Sequence, residues 1–104
     1  LNWKVDGILD TIASLRQEVD QVHKKLQVLL LRRRDLTMAI WKIKQDQGLP
    51  FLSPEREAQI LEDFLKHDKD QERDPLFDEV LKRVMLGILK EFEKYLSAKY
   101  SSEP

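Results

Sequence analysis

Residues 5–46, VDGILDTIASLRQEVDQVHKKLQVLLLRRRDLTMAIWKIKQD, decide the fold. The stretch has no proline, and its glycine, Gly7, stands near the start, so nothing interrupts a helix over about forty residues. Ile12, Leu15, Val19, Val22, Leu26, Leu29, Arg33, Leu36, Ile40 and Ile43 follow one another at alternating steps of three and four, the spacing of a helix-on-helix seam. Arg33 is the exception on that apolar line. A charge there is costly unless it meets a partner or an anionic ligand, so Arg33 is the first functional clue.

A helix of this length measures roughly 60 Å. A compact domain of this chain's size has a radius of gyration near ~13 Å, so the helix must overhang its own domain. An overhanging apolar seam needs a cover, most simply a second copy in a twofold dimer. The expectation is an all-α fold of three helices per subunit, with one very long N-terminal helix, forming an intertwined helical dimer.

Working outward, Gly48-Leu49-Pro50 stops the first helix, since Gly suits a C-terminal cap and the residue before Pro is pushed out of the α region. Ser53-Pro54-Glu55 reads as an N-cap, a proline in the first turn and an acidic residue at the positive end of a second helix. Ile60, Leu61, Phe64 and Leu65 give that helix one apolar face, and it is expected to end near His67. Residues 68–73 carry only charged and amide side chains and read as a solvated loop. Asp74-Pro75 repeats the capping device. Phe77, Val80, Leu81, Val84, Met85, Ile88, Leu89, Phe92, Tyr95 and Leu96 then make a third amphipathic helix, ending near Lys99, with a frayed tail from Tyr100 onward.

The 104 residues suit one domain, 1–104, with a real core. Eighteen basic residues against nineteen acidic ones argue against a general nucleic-acid binder. The three side chains of Arg32-Arg33-Arg34 fan out around a helix rather than forming one basic face. Without cysteine there is no disulfide or thiolate chemistry, and His23 and His67 lack metal-ligand spacing, so no metal site is expected. No apolar run approaches the ~18 residues of a membrane span, and the start lacks a signal-peptide layout, so the expected location is the cytoplasm. The chain opens on Leu1 rather than Met, which leaves room for a neighbouring domain.

At about 100° per residue, Arg33 and Lys44 return to within about 20° of each other on one helical stripe and can serve one pocket. Arg16 is rotated by roughly 100° from Arg33 and lies about 25 Å away along the axis, so it reaches such a pocket only from an antiparallel partner. Arg56, at the head of the second helix, follows a turn that brings it back toward Lys44. Three arginines and a lysine suit a small ligand with two carboxylates, because guanidinium matches carboxylate bidentately. Glu57 suits orientation of the cations or acceptance of a ligand hydroxyl. Taken singly, Arg16 reads as a surface residue, Lys44 as a helix-end cation and Trp41 as a packing residue; only the constellation raises the first two.

Leu15-Arg16, Asp20, Leu29-Leu30, Arg33-Arg34, Leu36, Ile40, Lys44, Gly48-Leu49-Pro50 and Pro54-Glu55-Arg56-Glu57 together resemble the all-helical chorismate mutase family, over roughly residues 9–92. Val80-Leu81-Lys82-Arg83-Val84-Met85 is most similar to the mutase domain of bifunctional chorismate mutase/prephenate dehydrogenases. The resemblance implies a homodimer of three-helix subunits that rearranges chorismate to prephenate without a cofactor. By position it implies Lys44 as donor to the ether oxygen and Arg33 as a carboxylate-binding arginine of the same subunit. It further implies Arg16 donated by the partner, Arg56 and Ser53 at the head of the second helix as substrate-binding residues, and Glu57 as acceptor of the substrate hydroxyl.

The departures lie in the third helix. Aligning Val84-Met85 with the family pattern puts Ile88 where a small or hydroxyl residue is usual. The same register puts Phe92 where a Gln or Glu makes a second ether-oxygen contact. A shift by one residue puts Glu93 there instead; the position of Phe92 on the apolar stripe favours the unshifted register. Two alternatives stay open: a mutase-like ligand-binding or assembly domain with weak or no turnover, and an isochorismate pyruvate lyase of the same fold.

Overall fold

The structure, a computed structural model, describes residues 3–66 and 71–100, with side chains from residue 7 onward. It contains three helices, α1 (Trp3–Gln47), α2 (Pro54–Leu65) and α3 (Pro75–Tyr100), and the described residues include no strand. The all-α expectation holds, with a first helix of 45 residues. The chain divides into two units, Leu1–Thr37 and Met38–Pro104.

The first unit is helix alone. Thr11 and Thr37 turn their hydroxyls back onto carbonyls a turn earlier, Gly7 and Arg33 respectively, both at 2.9 Å, so each satisfies its own donor locally. The apolar seam is open among the described residues. Leu15, Val19, Val22, Leu26 and Leu29 are all exposed, Val22 to 61% and Leu29 to 65%. His23 is exposed, as an isolated histidine on this helix should be.

The second unit holds the core. α1 ends in a Schellman turn: Gly48 takes φ +66°, its N–H donates to the Gln45 carbonyl at 3.3 Å, and the Leu49 N–H donates to the Lys44 carbonyl at 2.8 Å. Gly48 is needed there because a Cβ crowds the following carbonyl at positive φ. Ser53 caps α2, its Oγ accepting from the Arg56 N–H at 3.3 Å, with Pro54 in the first turn. Asp74 caps α3, its Oδ1 accepting from the Phe77 N–H at 2.8 Å.

α2 packs against α3. Met85 and Leu96 of α3 are buried, Leu96 to 3% exposure, together with Trp41 of α1. Trp41 stacks on Phe51 with ring centroids 4.5 Å apart and planes 9° from parallel, and Tyr100 tilts against both rings at 6.1 and 6.2 Å. Tyr100, expected in a frayed tail, is a helical residue whose hydroxyl donates to the Met38 carbonyl at 3.0 Å. The ring stack supplies the apolar partner that sequence order alone does not reveal.

The polar run before α3 also departs from the reading of a solvated loop. Residues 68–70, like His67 at the expected end of α2, lie outside the described residues. Arg73, however, is folded inward, its side chain 8% exposed. Its Nη2 donates to the Leu65 carbonyl at 2.9 Å, its Nη1 to the Lys66 carbonyl at 3.3 Å, and its Nε faces Asp78 Oδ1 at 2.9 Å. It therefore satisfies the open carbonyls at the end of α2 and ties them to the first turn of α3.

Candidate functional site

The candidate residues fall in both units. Arg16 and Arg33 belong to the first, where Arg16 is exposed and Arg33 half-buried. Of its neighbours, Arg32 is exposed, and Arg34, half-buried like Arg33, pairs with Asp35 at 2.9 Å. Lys44, Ser53, Arg56 and Glu57 belong to the second unit and are linked through the turn between α1 and α2.

Lys44 is half-buried, and its Nζ donates to the Phe51 carbonyl at 3.0 Å. That acceptor is neutral, so the positive charge stays available. Two residues on, Ser53 accepts from the Arg56 N–H through its side chain and from the Glu57 N–H, at 3.0 Å, through its carbonyl. The cap therefore presents Arg56 and Glu57 at the head of α2. The Arg56 guanidinium bonds along its own helix, Nη1 donating to Gln59 Oε1 at 3.3 Å. Glu57 is half-buried.

Glu57 opens onto a cavity of about 350 Å³ between α2 and α3. Its apolar walls are Ala58 and Leu61 on α2 and Leu86 and Leu89 on α3, and its polar groups are Glu57, Lys90 and Glu93. In this groove the α3 side carries Leu89 and Glu93, one residue on from the Ile88 and Phe92 that the unshifted register puts forward. The reason is rotational. Leu86, Leu89, Lys90 and Glu93 recur at helical spacing and share the face toward α2, and a carboxylate closes that stripe where the groove opens. A larger depression of about 800 Å³ lies at the other end of the α2–α3 pair, around Phe64, Phe77 and Leu81. It contains none of the candidate residues, and its buried cation, Arg73, is committed to Asp78. The smaller groove holds Glu57 together with Lys90 and Glu93.

Among the described residues no cluster of His, Cys, Asp and Glu is arranged to hold a metal ion. No helix among them is long and apolar enough to cross a membrane.

The chain is similar to known proteins over most of its length. The family model for chorismate mutase type II matches residues 15–95. The T-protein of Enterobacter agglomerans is 37% identical over 75 residues, which is 71% of this chain and 20% of that protein. The T-protein of Haemophilus influenzae is 32% identical over 80 residues, 76% of this chain and 21% of that protein. The chain thus spans about a fifth of the length of these two curated relatives. The chorismate mutase of Methanocaldococcus jannaschii is 28% identical over 96 residues, covering 92% of this chain and 93% of the relative. No solved structure matches significantly. With the matched region running from the exposed seam of α1 through the Lys44 turn to the last turns of α3, the chain belongs to the chorismate mutase type II family.

Proposed function

We propose that the chain is a cytoplasmic chorismate mutase, folded as one domain and working as a homodimer, that rearranges chorismate to prephenate without a cofactor. The observation that carries the reading is the likeness to the M. jannaschii chorismate mutase along nearly the whole of both chains.

The reaction is intramolecular: an ether C–O bond breaks while a C–C bond forms, with no atom gained or lost. Such a step needs no nucleophile and no proton carrier. It needs a site that holds the compact reactive conformer and places cationic donors where negative charge develops on the ether oxygen. Lys44 supplies that donor, its ammonium bonded to a neutral carbonyl and keeping two further N–H groups for the substrate. Arg33 binds a substrate carboxylate in the same subunit and Arg16 another from the partner, each by the paired N–H geometry of guanidinium. Arg56 and Ser53 close the site from the head of α2, and Glu57 accepts the substrate hydroxyl. The exposed line of Leu15, Val19, Val22, Leu26 and Leu29 supports a second copy, since an apolar strip of that length in water favours association.

The test is a chorismate-disappearance assay on the purified protein with prephenate identified as product and isochorismate run in parallel. Prephenate formed well above the uncatalysed rate is the expected result. Chorismate binding by a folded protein without prephenate would transfer the chain to the ligand-binding alternative, and pyruvate released from isochorismate would transfer it to the lyase.

A further inference from the structure

We infer that Phe51 is a positioning residue for Lys44, its ring locked on Trp41 so that its own carbonyl fixes the Lys44 ammonium; the inference rests on the assignment of Lys44 to the ether oxygen.

Both ends of Lys44 are tied to the same turn. Its backbone carbonyl accepts the Leu49 N–H at 2.8 Å, closing the turn at Gly48, and its side-chain Nζ donates to the Phe51 carbonyl at 3.0 Å. The carbonyl is only as well placed as the residue that carries it. Phe51 follows Pro50 and precedes α2, outside any helix, so no helical ladder fixes it. What holds it is its ring, 4.5 Å from that of Trp41 and 9° from parallel. Trp41 is buried to 8% exposure in α1, three residues before Lys44, so the stacking post and the lysine rise from neighbouring positions on one helix. Tyr100 braces both rings from the last turn of α3, and its hydroxyl bond to the Met38 carbonyl anchors it to α1.

A lysine side chain is long and loses up to about 2 kcal/mol of rotamer entropy when it is fixed. Here the fixing is done before a ligand arrives. One of three N–H groups is used on a neutral acceptor, so the ammonium is oriented without its charge being cancelled, as a carboxylate partner would do. Loosening Phe51 should therefore leave binding by the arginines intact and weaken the contact that matters as the ether bond breaks.

The test compares Phe51→Ala and Phe51→Tyr with the wild-type chain in steady-state kinetics on chorismate. It is joined to NMR of the 15N-labelled Lys44 ammonium, assigned by its loss in Lys44→Ala. For Phe51→Ala we expect kcat to fall about 10- to 100-fold, the upper figure being what a misplacement of about 1 Å costs, with KM moving less than about threefold. The slowly exchanging ammonium resonance should vanish in Phe51→Ala, and Phe51→Tyr, which keeps the stack, should restore both readouts. Unchanged kcat in a folded Phe51→Ala protein, a loss carried by KM alone, or a Tyr variant no better than Ala would overturn the inference. If Phe51→Ala loses its helicity, Phe51→Leu, which keeps apolar bulk but not the flat ring, takes its place with the same outcomes. A wild-type chain that turns over no chorismate sinks the proposed function, and the ammonium resonance then decides whether Phe51 holds Lys44 at all.

Discussion

Replacing Arg73 by Met keeps most of the apolar stem and removes the guanidinium that joins α2 to α3. Four interactions are lost: the bonds to the Leu65 and Lys66 carbonyls at 2.9 and 3.3 Å, an exposed bond to Gln71 Oε1 at 3.3 Å, and the ion pair with Asp78 at 2.9 Å. Breaking a fully buried ion pair from one side costs about 3–5 kcal/mol, but Asp78 is 43% exposed, so water takes over part of its solvation and the figure falls toward ~1–2. A hydrogen bond from a charged donor contributes about 1.5–3 kcal/mol, the shorter carbonyl bond carrying most of it here. Allowing for the packing that Met retains, the expected cost is about 3 kcal/mol, or a fall in Tm of roughly 12–24 °C for a chain of this size. Urea unfolding followed by far-ultraviolet circular dichroism measures it, at one fixed protein concentration because the proposed dimer would make stability depend on concentration. Asp78→Asn, which leaves both carbonyl bonds in place, should cost only about 1–2 kcal/mol. An Arg73→Met protein within about 0.5 kcal/mol of wild type, the ordinary range for a surface substitution, would refute the reasoning. So would an Asp78→Asn protein as unstable as Arg73→Met.

Two further predictions concern the chemistry. Lys44→Ala should lower kcat by about 100- to 1000-fold, the range for loss of one charge-stabilising donor, with helix content unchanged by circular dichroism; retained turnover would remove Lys44 from its role. Glu93→Gln should raise kcat by up to about 100-fold, because an amide offers an N–H donor that a carboxylate lacks, whereas Phe92→Gln should leave turnover as it was. The reverse pattern would assign the ether-oxygen position to Phe92.

The long helix was legible because proline and glycine are missing where they would break it and because apolar steps of three and four persist for many turns. The starts of α2 and α3 were legible from Ser53-Pro54 and Asp74-Pro75, whose caps depend only on neighbours in sequence. Arg73 was not, since a run of polar residues gives no sign that one of them will turn inward to close helix carbonyls. Nor was the rotation of α3: Leu81, Leu86, Leu89, Phe92 and Leu96 spread around so much of the helix that hydrophobicity did not show which of its residues line the groove with α2. The ring stack of Trp41, Phe51 and Tyr100 joins residues far apart in the chain, and with it the carbonyl that holds Lys44 stayed hidden. For Lys44, then, its place on the helix was readable and the carbonyl that its ammonium meets was not.

The most direct test of the account is to mix Arg16→Ala and Lys44→Ala subunits after separate purification and full exchange. If Arg16 crosses to the partner's Lys44 site, every mixed dimer holds one site with both residues intact. An equal mixture then regains about a quarter of wild-type prephenate formation from two inactive parents. No recovery, with mixed dimers shown to form, would contradict a catalytic site shared between two copies of the chain.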